Sequence, residues 1–84
     1  MKFTSLDLKP LMPKLGIFSG HDVCRVLGEH GFILVRQKGS HAIMQMRTAQ
    51  GTITVPVPLH HELRTGTLLS IIRQSQLLRT YFEK

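Results

Sequence analysis

The sequence predicts a small α+β domain: a three-stranded antiparallel sheet with helices on one face, in the order α-β-β-β-α. Three observations carry this expectation. A capped apolar helix pattern runs from Ser19 to Gly31. An apolar strand pattern, Phe32 to Val35, and an alternating one from His41 flank a break at Gly39-Ser40. A second helical stripe, Leu68, Ile71, Ile72 and Ser75, follows a third strand pattern. Helices and strands in that order bury their apolar sides as one layer on another.

The first helix opens at Ser19, a good N-cap, with Asp22 three residues later as an acidic form of the capping box. Val23, Val26, Leu27 and His30 share one face, and Gly31 closes the helix. His21 should be solvated, and His30 should lie at the margin of the core. The first strand is expected over Phe32–Lys38 and the second from His41 to about Thr48. The short Gly39-Ser40 link makes them an antiparallel hairpin. A period of two puts His41, Ile43, Gln45 and Arg47 on one face, with Ala42, Met44 and Met46 on the core side.

Ala49-Gln50-Gly51 is the next turn, and Thr52–Val57 is the third strand, with Ile53, Val55 and Val57 inward. Pro56 cannot donate to a sheet ladder, so this strand should be an edge, or end there. A loop with His60, His61, Glu62 and Arg64 leads to a second helix starting near Gly66-Thr67. Leu69 should sit at its margin, with Arg73 and Arg79 outward. The tail should dock Leu78, Tyr81 and Phe82 on the core as a last short helix. Residues 1–18, with Pro10 and Pro13, read as a lead-in arm that lays Leu15, Ile17 and Phe18 over the core. Residues 19–84 read as a single domain.

Eighty-four residues leave room for one modest core, and 42% hydrophobic with 19% charged residues is ordinary for a folded chain. The formal net charge of +6 favours an anionic partner: nucleic acid, an acidic protein or a membrane surface. The single cysteine, Cys24, excludes an intramolecular disulfide and fits a reducing compartment. Asp7 and Lys9 fall where the apolar region of a signal peptide would be needed, and no apolar run approaches a membrane span. A cytoplasmic protein is expected.

Much chemistry is excluded by what is missing. There is no P-loop, no dinucleotide fingerprint and no HExxH pattern. The five carboxylates show no acid–base pairing, and two-metal phosphodiester chemistry lacks its ligands. Without cysteine pairs, and with His60 and His61 adjacent, no metal site is expected. A metal-free reaction remains open. RNA carries its own nucleophile, the 2′-OH. A histidine can take that proton while cations stabilise the phosphate, and its ordinary pKa of about 6.5 suits the task. The turn that delivers His41 beside Lys38 and Arg36 has these parts. Ser40 has no nearby acid to orient a Ser–His pair, so it is assigned a positioning role.

Arg36-Gln37-Lys38-Gly39-Ser40-His41 resembles the R-Q-(K/R)-G-S-H signature of the HicA-type toxins, the mRNA interferases of bacterial toxin–antitoxin pairs. Ser19 to Val23, Thr54-Val55-Pro56 with His60-x-Glu62-Leu63, and Gly66 to Gln74 are similar to three further segments of that family, in the same order. The resemblance runs from about Pro13 to Gln76. It implies a fold like the double-stranded RNA-binding domain, endoribonuclease activity on mRNA with His41 catalytic, and a HicB-type antitoxin that covers the site. It implies no cofactor. The candidates for RNA binding or transition-state support are Arg36, Lys38, Gly39, Ser40, Arg47, His60, Arg64 and Arg73. Of these the Arg and Lys side chains should share one surface with His41. The sequence departs from the family's pattern in two places: Met44 stands where an aromatic residue is frequent, and Gln76 lies where glycine is usual. Residues 1–11 have no counterpart in it.

Two other readings suit the same residues. A non-catalytic RNA-binding module needs only basic groups and shape, and a protein-interaction domain needs only an acidic partner. Both predict that His41 is dispensable.

Overall fold

The computed structural model describes residues 14–83. The elements follow the expected order: α1 (Gly20–Glu29), β1 (Ile33–Lys38), β2 (His41–Thr48), β3 (Gly51–Pro58), α2 (Thr65–Ser75), and a closing 3-10 helix, Arg79–Phe82. The sheet is antiparallel with strand order β1-β2-β3, so β3 is an edge, as Pro56 requires. This is the α+β fold of the double-stranded RNA-binding type. For residues 1–13, the expected lead-in arm lies outside the described residues.

α1 starts where local chemistry dictates. The Ser19 hydroxyl accepts from the Asp22 backbone N–H at 3.0 Å, and an Asp22 carboxylate oxygen accepts from the Ser19 N–H at 3.0 Å. These bonds satisfy two groups that a helix start would leave unpaired. They also hold the Asp22 carboxyl below its ordinary pKa, the Ser19 backbone bond being the largest cause. At the other end His30 caps α1, and Gly31 takes φ 102°, which suits glycine.

The core lies between the helices and one face of the sheet. α1 contributes Val23 and Leu27, the sheet contributes Met44, Val55 and Val57, and α2 contributes Leu68, Ile71 and Ile72. Met44 is therefore a core residue. Ser75 is fully buried, and its hydroxyl donates to the Ile72 carbonyl at 2.8 Å. Phe82 is also fully buried, and its ring meets Phe18 at a centroid distance of 5.7 Å. Leu15 forms an isolated bridge with Glu83 and packs against the core, whereas Ile17 is exposed.

Several details differ from expectation. β1 begins at Ile33, since the Phe32 N–H is held by the Leu27 carbonyl at the end of α1, at 3.0 Å. β3 extends by one residue at each end through its pairing with β2: Thr48 with Gly51, and His41 with Pro58. α2 starts at Thr65. Leu78 does not dock; it is 62% exposed, while Leu77 packs partly buried against the core and Phe82 is fully buried. Tyr81 instead stacks on His30 at 3.9 Å, with the His30 Nδ1–H donating to the Val26 carbonyl. Arg79 is not simply outward: its Nε donates to Glu83 at 2.8 Å in a partly buried pair.

β1 departs from regular pairing in a way that matters for the site. Leu34 pairs with Met44, but the next pair is Arg36 with Ile43, so Val35 is bulged. A one-residue shift moves every following side chain to the other face. The bulge thereby turns Arg36 and Lys38 onto the open face, the side of His41, and sends Gln37 to the helix side.

Candidate active site at the hairpin turn

His41 is the first residue of β2, and three backbone constraints hold it. It pairs with Lys38 on one side and with Pro58 on the other. The two-residue turn between Lys38 and His41 has Gly39 at φ 60° and Ser40 at no positive φ. That arrangement matches a II′ hairpin turn, which wants glycine first. The Gln37 side-chain amide donates to the Gly39 carbonyl at 3.1 Å.

The turn is also anchored from behind. The Ser40 carbonyl accepts the Leu59 N–H at 2.8 Å, the His60 carbonyl accepts the Gly20 N–H at 2.9 Å, and the Phe18 carbonyl accepts the Leu63 N–H at 2.8 Å. The start of α1, the hairpin turn and the loop after β3 are thus stitched into one unit. Gly20 is required there: a Cβ would collide with the Pro58 carbonyl oxygen and stand 2.7 Å from the Leu59 Cα.

In front of His41 lies an open groove of about 370 Å³. Pro56 and Pro58 of β3 form one wall. Gly66, Thr67, Ser70, Ile71 and Gln74 of α2 form the other. The chain turns back after Pro58, so the start of α2 lies at the His41 end, and Ser70 and Gln74 lie further along. The Gln74 amide donates to the Ser70 hydroxyl at 2.9 Å. None of the described carboxylates lines this groove. Among them Asp22 is bound to Ser19 and Arg25, and Glu83 to Arg79. No group of three or more metal-ligating side chains gathers among the described residues.

The other candidates distribute unevenly. Arg36 and Lys38 are exposed and share the sheet face of His41. Gly39 and Ser40 form the turn itself. Arg47 is on the same face but six residues along β2, roughly 20 Å away at ordinary strand rise. It lines a separate hollow with Gly31, Ile33 and Thr52. Arg64 precedes α2, which has no side-chain cap, and Arg73 lies on the exposed side of α2. His60 is exposed in the loop and engages through its carbonyl. Neither His60, Arg64 nor Arg73 lines the groove.

Sequence reasoning did not single out Thr67, Ser70 and Gln74. Their signal was present: spacings of three and four residues place them on one stripe of α2, beside the apolar stripe.

A family model described as the HicA toxin of bacterial toxin–antitoxin matches residues 20–77. No curated protein matches the chain at a significant level.

Proposed function

Because the chain belongs to the HicA toxin family of bacterial toxin–antitoxin systems, we propose that it is an endoribonuclease that cleaves mRNA without a metal. The observation that carries this reading is the position of His41. It is exposed at the mouth of the groove, held by a two-residue turn and paired directly with Lys38.

In this mechanism His41 removes the proton from the RNA 2′-OH, which attacks the adjacent phosphorus. The 5′-oxygen leaves, and its proton can return from the same imidazole. Lys38 and Arg36 stabilise the charge on the phosphate oxygens. Gly39, with no side chain, lets the backbone come close to the phosphate, and Ser40 supplies a hydroxyl for positioning. Arg47, His60, Arg64 and Arg73 extend the cationic surface along the RNA. A HicB-type antitoxin, acidic to complement the +6 charge, holds the toxin inactive. The cytoplasm is where such a target and partner would be met.

The direct test is incubation of purified wild type and His41→Ala with RNA. A positioned acid–base group is worth about 10²–10⁴-fold in rate. His41→Ala should lose activity by that order while keeping its fold and most of its RNA affinity. Equal activity of the two proteins would return the chain to a non-catalytic reading.

A further inference from the structure

The groove beside His41 has a chemical polarity that the proposed reaction does not use. Its His41 end adjoins Lys38 and Arg36, where a phosphate would be neutralised. Beyond that end no lysine or arginine lines the groove. The wall of β3 offers Pro56 and Pro58, two rigid apolar surfaces. The wall of α2 offers Ser70, past the first turn, and Gln74, in the last turn at the negative end of the helix dipole, neither of which favours a phosphate. Thr67 to Gln74 spans about 10 Å of helix axis, which is long enough for one nucleotide.

From this we propose that the groove between β3 and α2 takes the base and ribose of a single unpaired nucleotide next to the scissile phosphate, with Ser70 and Gln74 reading the base edge. The proposal rests on the ribonuclease reading and names its substrate class: single-stranded RNA, or an unpaired loop, with a preferred base at one position. The Ser70 hydroxyl orients the Gln74 amide. That bond leaves the Gln74 carbonyl oxygen, its second N–H and the Ser70 O–H for a Watson–Crick edge. A base held in a duplex could not enter. Pro56 and Pro58 pack against the flat face of the base or ribose, as apolar groups do in sites that splay bases out.

Gly66 supplies a way to close the groove without disturbing the fold. A Cβ at Gly66 meets no atom within 4 Å, and its φ is not positive. Gly66→Leu also replaces glycine in a helix by a strong helix former. It should therefore fold at least as well as wild type while filling the His41 end of the groove, through which the nucleotide must reach Ser70 and Gln74.

The test has two arms. In the first, wild type, Gln74→Ala, Ser70→Ala and Gly66→Leu are titrated with 2′-deoxynucleoside 3′-monophosphates and with inorganic phosphate, followed by amide chemical shifts. The deoxynucleotides cannot react, so this arm is independent of cleavage. Shifts at Thr67, Ser70 and Gln74 with nucleotides but not with phosphate support the site, as does their loss in Gly66→Leu. Shifts confined to the Arg36–His41 turn with every probe overturn it. In the second arm, cut sites are mapped on RNA with unpaired and paired regions. Wild type should cut unpaired positions with a base preference, and Gln74→Ala should relax that preference on the order of tenfold. Cleavage with an unchanged base preference in Gln74→Ala and Ser70→Ala overturns the proposal and leaves the ribonuclease reading standing. Nucleotide shifts in the groove without cleavage of any RNA would do the reverse.

Discussion

Arg36 stands opposite Ile43, one residue out of the step that Leu34 and Met44 establish. The bulged Val35 between them decides that Arg36 and Lys38, rather than Val35 and Gln37, face the same way as His41. The basic character of the site is thus a product of strand pairing.

Lys38→Ala should therefore weaken RNA binding about equally across sequences and reduce the salt slope of log K by about one. Arg25→Ala is the control. It removes the same charge, but from an exposed position on α1 beside Asp22. Titrations at several salt concentrations should show the change in slope for Lys38→Ala only. Equal effects of both variants would mean that net charge, not this face, governs binding.

The stitch between Gly20 and the loop after β3 predicts an unusually costly small substitution. Gly20→Ala pushes a methyl into the backbone at Pro58 and Leu59. Overpacking of this kind costs about 1–3 kcal/mol. Because Leu59 also anchors Ser40, the variant should lose cleavage activity beyond its loss of stability. Urea unfolding and initial rates on the same preparation measure both.

Much of the fold was legible because its signals are local. Ser19 and Asp22 satisfy each other within one turn, so the start of α1 could be read directly. From His41 to Thr48 the polar residues His41, Gln45 and Arg47 fall on one face and Ala42, Met44 and Met46 on the other, and a glycine turn stands before it, which set its start and its faces. The bulge at Val35 was not legible: Phe32 to Val35 is a continuous apolar run, and only pairing with Met44 and Ile43 shows which residue is extra. The groove was missed for a similar reason. It exists only where α2 returns beside β3, and no spacing along the chain states that distance. Leu78 was expected inside because it is apolar, yet the tail makes one deep contact, through Phe82. Gln76, where the family usually has glycine, still takes a left-handed conformation at φ 63°.

Gln76 supplies a further prediction. A non-glycine residue in the left-handed region costs about 1–2 kcal/mol, against about 0.5–1 kcal/mol that glycine adds in unfolded-state freedom. Gln76→Gly should thus stabilise the domain by about 0.5–1 kcal/mol, read as a higher urea midpoint at unchanged slope. A lower midpoint would mean that the Gln76 side chain contributes more than its backbone strain costs.

Acid should act through the capping box. The Asp22 pKa is lowered in the folded chain, so the unfolded chain binds its proton first as pH falls. The stabilisation is complete above the ordinary aspartate range near 3.8. It fades as pH drops through the lower folded value. Ser19→Ala removes the hydroxyl but keeps the backbone N–H, the larger cause of the shift. It should cost on the order of 1 kcal/mol at neutral pH and flatten the acid limb of the stability curve only in part. Asp22→Asn removes the titrating group and should flatten it further; an acid limb unchanged in Asp22→Asn would assign the pH dependence to other carboxylates.

The mechanism makes the substrate supply its own nucleophile, and that is the claim most directly open to measurement. An RNA with one 2′-deoxy substitution on the 5′ side of a mapped cut site should be resistant at that site in EDTA and cut normally elsewhere. Products from the unmodified RNA should end in a cyclic 2′,3′-phosphate or its hydrolysed form. Cleavage at the deoxy position, or 3′-hydroxyl ends that appear only with a divalent metal, would contradict the account.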